Sequence, residues 1–221
     1  MSSARDLVYA ELRRRLMSGA FLPGERLREE HIAADLAVSR TPVRSAIERL
    51  IDDGLVSREE RRGAVVLGWL DRDINEAFEL RLLLEPYAAR VAANRASEAQ
   101  IEALAEINAS MLRAVLSDDE DHVAQVQHYN NRFHHALLAA AQSARVRSLV
   151  DSLLDMPIII GSFYFYSRDD MLSSVEQHKQ IIAALRARDP DYAESAMRLH
   201  LTATHRLFRN QRSPAEKERS A

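Results

Sequence analysis

Val38-Ser39-Arg40-Thr41-Pro42-Val43-Arg44-Ser45-Ala46-Ile47-Glu48-Arg49-Leu50 decides how the first part of this chain is read. Thr41 is a good helix cap, and Pro42 after it loses nothing in a first helical turn, where N–H groups have no partner anyway. The pair predicts a helix capped by Thr41. Val43, Ala46, Ile47 and Leu50 follow at i, i+3, i+4 and i+7, one apolar helical face, and Asp53-Gly54 ends it. Arg40 and Arg44 flank the opening. A helix start with a hydroxyl, free N–H groups and two guanidinium groups suits phosphate oxygens and guanine edges.

Two helical patterns precede it, over residues 6–18 and 29–36, separated by the turn Phe21-Leu22-Pro23-Gly24. After it, residues 55–58 and 64–67 read as short strands around an Arg61-Arg62-Gly63 tip. Three helices and a hairpin make a winged helix-turn-helix. From Asp71 onward the pattern is helical almost throughout. Helices are predicted over 74–80 and on through 93, with Pro86 kinking or breaking the run. Others cover 101–116 with Ser97 as cap, a segment through 138 after the acidic 118–121, 145–154, one opened by Ser173 or Ser174, and a last one from Asp191 to about 210. The fold class is therefore mainly α, a winged helix-turn-helix followed by an all-helical antiparallel bundle. The expected division is 1–68 for the winged helix-turn-helix, 69–211 for the all-helical part, and a disordered charged tail over 212–221.

Composition narrows the function classes. The 221 residues contain no cysteine, which excludes disulfides, thiolate metal sites and cysteine nucleophiles. No signal-peptide pattern opens the chain, and the apolar run 156–166 is about half of a membrane span. A soluble, cytoplasmic protein with no membrane partner is expected. The net charge of −3 argues against unspecific coating of nucleic acid, so placement of the arginines must carry DNA binding. Lysine occurs only at Lys179 and Lys217.

A second constellation lies in the helical part. Asn130 and His134, four residues apart, share a helix face. His178 shares a face with Val175, Ile182 and Leu185, and His200 with Ala193, Ala196 and Ala203. Helices joined at Asp189-Pro190 bring His178 and His200 level. Three imidazoles and one oxygen suit a divalent metal, Zn²⁺ or Ni²⁺ above all. A water-activating hydrolase could use such a set, but no Glu is spaced as a general base beside it. A purely structural metal is the other alternative.

These strings carry a family resemblance. Pro23-Gly24-Glu25-Arg26-Leu27, Val38 to Arg44 and Leu50-Ile51-Asp52-Asp53-Gly54-Leu55-Val56 resemble the DNA-binding domain of GntR-family regulators. Arg81-Leu82-Leu83-Leu84-Glu85, Asn130-Asn131-Arg132-Phe133-His134, Glu176-Gln177-His178 and Met197-Arg198-Leu199-His200 resemble the FCD domain of the FadR-type branch. The resemblance implies a homodimer on a short pseudo-palindromic operator, most often as a repressor, controlled by a small carboxylate effector. It places Arg40, Thr41 and Arg44 on operator-contacting positions and Arg62-Gly63 at the wing tip. It places Asn130, His134, His178 and His200 on metal-binding positions, the first of which is Asp in many members, and Arg81 near the effector.

Overall fold

Among the described residues, nine helices and one hairpin are formed. The computed structural model describes residues 4–17, 20–21, 24–60, 63–67, 71–119, 121–154 and 166–211. In chain order the elements are α1 (Ala4–Met17), α2 (Glu29–Asp35), α3 (Arg40–Asp52), β1 (Val56–Glu59), β2 (Gly63–Val66), α4 (Asp71–Arg95), α5 (Glu98–Leu116), α6 (His122–Ala140), α7 (Ala144–Leu154), α8 (Arg168–Arg186) and α9 (Pro190–Gln211). Two compact units divide between Asp73 and Ile74.

In the first unit, Val43, Ala46, Ile47 and Leu50 of α3 are buried, as the periodicity requires, and α1 packs on α3 with Val8 and Leu12 buried. The Tyr9 hydroxyl donates to the Asp53 carboxylate, and the Arg49 guanidinium lies 3.9 Å from the centre of the Tyr9 ring. These contacts tie α1 to the end of α3. The hairpin pairs Val56 with Val66 and Glu59 with Gly63. Residues 24–27 back it: Leu27 N–H donates to Ala64, and Val66 N–H to Glu25. The start of α3 differs from expectation. Ser39 is the N-cap and the helix begins at Arg40, so Thr41 and Pro42 both lie in the first turn. Pro42 lies in the first turn as expected, buried with Val43, where only an unneeded N–H is missing.

Helices α2, α3 and α8 close with the same reversal. The N–H groups of Val38, Leu55 and Asp189 reach back to Ala33, Leu50 and Ala184, and those of Ala37, Gly54 and Arg188 to Ala34, Ile51 and Leu185. The pattern needs one left-handed residue just past the helix. At Gly54 glycine supplies it, whereas Ala37 holds φ 53° with a Cβ in place. Ala37 sits in the turn between α2 and α3. Ala37→Gly is therefore expected to stabilise the first unit by about 1 kcal/mol, since the left-handed penalty for alanine exceeds the entropy of glycine. Thermal unfolding checks this, and an unchanged or lowered midpoint would contradict the strain.

In the second unit α4 runs unbroken through Pro86, against the expected kink or break, and absorbs the short helix predicted over 74–80. Pro86 cannot donate to the carbonyl of Leu82, and that oxygen accepts from the Arg198 guanidinium of α9 at 3.3 Å. The freed carbonyl thus has a partner, which removes one reason to break the helix. Ala88, Ala89, Ala92 and Ala93 of α4 are buried in one core with Phe133 and Leu137 of α6, Ile181 and Leu185 of α8, and Ala193 and Met197 of α9. Ser97 caps α5 as expected, and a reciprocal box with Gln100 starts the helix at Glu98, earlier than the expected 101. Helix α8 opens earlier than Ser173 or Ser174. Ser167 and Asp170 form a second capping box, which fixes its start at Arg168.

Candidate functional site

The start of α3 presents Arg40, Thr41 and Arg44 on the surface. Neither arginine is solitary. Arg44 meets Glu29 as a fork, Nε to Oε1 at 3.0 Å and Nη2 to Oε2 at 2.9 Å. Arg40 Nη2 lies 2.9 Å from Glu30 and 3.3 Å from Glu29. Hydrogen bonds from Arg44, stronger than the opposing burial, hold the Glu29 carboxyl below the usual carboxylate range. These groups line an open cleft of about 480 Å³ with Arg26, Arg28 and Gly63 of the wing. Gly63 holds φ +77°, and a Cβ there would lie 3.7 Å from the Arg26 guanidinium. Any other residue would be strained by its backbone alone. Arg62 lies outside the described residues. The two glutamates at the start of α2 were not legible as partners, because the α2–α3 crossing that brings them to α3 is tertiary.

The second unit gathers His134 of α6, His178 of α8 and His200 of α9. All three are buried, and one ligand nitrogen from each lies within 4.8 Å of the others. His134 Nε2 and His200 Nε2 are 3.3 Å apart. Each ring is held from behind by an oxygen. Glu85 Oε2 is 2.5 Å from His134 Nδ1, Asn108 Oδ1 is 3.2 Å from His178 Nδ1, and Gln177 Oε1 is 2.9 Å from His200 Nδ1. An oxygen acceptor at Nδ1 favours the proton there, which leaves each Nε2 as a lone pair. His178 Nε2 is buried with no hydrogen-bond partner among the described residues, and so is Asn130 Oδ1, one turn before His134. Phe133 stacks on His178 with ring centroids 3.8 Å apart and fixes its plane.

Burial, then the neighbouring His200 and His134, push His178 well below the ordinary imidazole range. Burial, then His134 and Arg81, do the same to His200. Both rings are therefore neutral. Glu85 is fully buried. Burial raises its pKa, but the Arg81 charge and the hydrogen bonds from His134 and Arg81 outweigh that and hold it at about 2. Arg81 is buried too and meets Glu85 through Nε at 2.6 Å. Its guanidinium does not snorkel to solvent. A set of buried inward lone pairs, with orienting acceptors behind, fits a cation.

The sequence reading named the three histidines, Asn130 and Arg81 but missed the residues that orient them. Glu85 and Gln177 stood inside quoted motifs with no role assigned. Asn108 left a fainter signal, a polar residue on the buried face of α5 with Ile101, Leu104, Met111 and Val115. His205 also has partners that were not foreseen, Asn75 at 2.8 Å and a stacked Phe78. His135 turns away from the centre and meets Asp151.

Comparison with known proteins settles the family. Residues 4–66 match the model described as "Bacterial regulatory proteins, gntR family", and residues 76–203 match the FCD domain. The HTH-type transcriptional repressor RspR of Escherichia coli is 30% identical over 197 residues, covering 88% of this chain and 84% of that protein. The gluconate operon transcriptional repressor of Bacillus subtilis is 28% identical, covering 81% and 74%. The solved structure of E. coli McbR/YncC superposes with a TM-score of 0.62 at 21% identity, over 96% of this chain and all of that one, which speaks for the fold. The family consists of DNA-binding regulators, so the hydrolase reading falls away. This chain belongs to the GntR family of bacterial regulatory proteins, as a DNA-binding transcription regulator of the FadR type whose C-terminal unit is an FCD domain.

Proposed function

We propose that the protein is a cytoplasmic homodimeric repressor that binds a pseudo-palindromic operator through α3 and is controlled by a small carboxylate effector held beside a divalent metal. Arg40, Thr41 and Arg44 address the operator, Arg44 by a base contact and the others at phosphates, with Gly63 and Arg62 bringing the wing to the neighbouring groove. Exposure of all three α3 residues, with Arg40 and Arg44 lining one polar cleft, supports this assignment. For dimerisation, α4 carries Leu80, Leu83 and Tyr87 at i, i+3 and i+7, all solvent-exposed in the single chain and suited to a second copy. Among the described residues no helix is long and apolar enough to cross a membrane.

His134, His178 and His200 would hold the metal, with Asn130 Oδ1 as the oxygen donor. Zn²⁺ and Ni²⁺ suit such a set. The observation that carries this is the pair of buried atoms without a partner among the described residues, His178 Nε2 and Asn130 Oδ1, beside histidines whose Nδ1 atoms are all engaged. When bound, the metal supplies a coordination position for an effector oxygen. Glu85, Asn108 and Gln177 keep the rings aligned, and Arg81 offers a guanidinium to the carboxylate. Effector binding then shifts the population between states of unequal operator affinity.

The experiment is a duplex selection with purified protein, followed by titration with and without a chelator and by metal analysis. Enrichment of a two-fold-symmetric site and retention of about one metal per chain are expected. Absence of sequence preference at moderate salt would overturn the operator reading. A metal-free protein that fails to take up added Zn²⁺ or Ni²⁺ would overturn the metal reading.

A further inference from the structure

The cleft between α3 and the wing carries more positive charge than its own carboxylates cover. Five arginines and three glutamates line it. All three glutamates are engaged. Glu29 and Glu30 hold Arg44 and Arg40, and Glu48 of α3 meets Arg58 of β1. Arg26 and Arg28 remain. Both are exposed, and neither has a carboxylate partner among the described residues. The backbone that carries them is pinned. Arg26 bridges to Val65, and the flanking N–H groups of Leu27 and Val66 bond Ala64 and Glu25. Leu27 is buried, so the alternation along this stretch turns Arg26 outward. Its guanidinium lies beside Gly63, 3.7 Å from where a Cβ would stand. Arg28 is the N-cap residue of α2, and its carbonyl accepts from the Ile32 N–H.

Docking geometry decides what passes over this cleft. With α3 in a major groove and the wing in the neighbouring minor groove, the surface between them faces the sugar-phosphate strand that separates the two. That strand carries a negative charge at every nucleotide. Arg40 and Arg44 must loosen a carboxylate to reach DNA. Arg26 and Arg28 give up none, so their charge acts on a phosphate undiminished. Contacts of this kind carry no sequence information, but they fix the register and orientation of a protein on the duplex.

Resting on the operator reading above, we infer that Arg26 and Arg28 form a seat for the phosphodiester strand that runs between the two grooves. The ligand is the backbone of duplex DNA, whatever its sequence. Arg58, tied to Glu48, is not part of the seat. The pinned backbone of residues 24–27 makes the seat a fixed reference point beside α3. It sets the register of α3 in the major groove, and Arg44 then meets its base from a defined position.

The test follows the affinity of the full-length protein for a random duplex by fluorescence anisotropy, from about 50 to 200 mM salt. Each neutralised phosphate contributes about 0.9 to the slope of log affinity against log salt. Arg26→Gln and Arg28→Gln should each lower the slope by about that amount, and the two together by about 1.8. Over this salt range the double Gln variant should then lose about twelvefold less affinity than the wild type. Arg26→Lys with Arg28→Lys keeps both charges and should keep the slope. On the selected operator the double Gln variant should weaken by the same factor as on random duplex. Uncharged methylphosphonates, placed singly along that operator, should weaken the wild type at the phosphates between the two grooves and leave the double Gln variant indifferent there. An unchanged slope in the double Gln variant overturns the seat and leaves the operator reading standing. An equal drop for Arg113→Gln, an exposed arginine of α5, assigns the effect to net charge and overturns the seat too. So does a loss confined to the operator, which would make these residues readers of bases. Binding without any preferred site removes the operator reading, and the slope on random duplex still decides the seat. No binding to any duplex overturns both.

Discussion

Glu85→Ala is expected to destabilise the C-terminal unit by about 3–5 kcal/mol, the usual consequence of removing one partner of a buried ion pair. Two groups are stranded at once. The Arg81 guanidinium is left buried without its carboxylate, and the Nδ1 proton of His134 loses its acceptor. Chemical denaturation of wild type and variant measures the difference. The double variant Arg81→Met/Glu85→Leu separates the two roles. With no stranded charge, an apolar pair of similar volume should restore most of the stability. Metal affinity should remain about 10- to 100-fold weaker, because the ring of His134 has lost the group that orients it. Were the double variant to recover metal affinity along with stability, Glu85 would serve the fold alone.

Arg44→Ala is expected to weaken operator binding by roughly tenfold to a hundredfold and to relax sequence preference at one position of each half-site, as loss of a base contact does. Arg40→Ala should instead weaken binding to all duplexes about equally and lower the salt slope by about one, as loss of a phosphate contact does. Glu29 makes the comparison sharper. It holds Arg44 by a two-point fork while adding a negative charge to a surface that must approach phosphates. Glu29→Gln keeps the shape and removes the charge. It should raise affinity for random duplex and narrow the gap to the operator. Titrations on operator, single-substituted operators and random DNA at two salt concentrations read all three effects. Equal losses for Arg44→Ala on every sequence would remove it from base recognition.

Local patterns had marked most of this. The apolar spacing of α3, the hairpin behind it and the Ser97 cap of α5 are rules between neighbours in the chain, and the structure follows them. The exceptions have different causes. Pro86 does not break α4, where a guanidinium from α9 takes the carbonyl that proline leaves free, and Ser39 in place of Thr41 caps α3. Ser167 opens α8 in place of Ser173 or Ser174 because its box with Asp170 captures the first turn. That signal was local and went unread.

By itself the sequence determined the mainly helical fold with its winged start, the inward faces of His178 and His200, and the absence of any cysteine chemistry, because periodicity and composition are properties of one strand of chain. Only the tertiary structure decided that Arg40 and Arg44 meet Glu29 and Glu30, and that Glu85, Asn108 and Gln177 stand behind the three rings. Hydrogen bonds and ion pairs between helices depend on how those helices cross, which is set by the packing of a whole core and leaves no spacing along the chain to read.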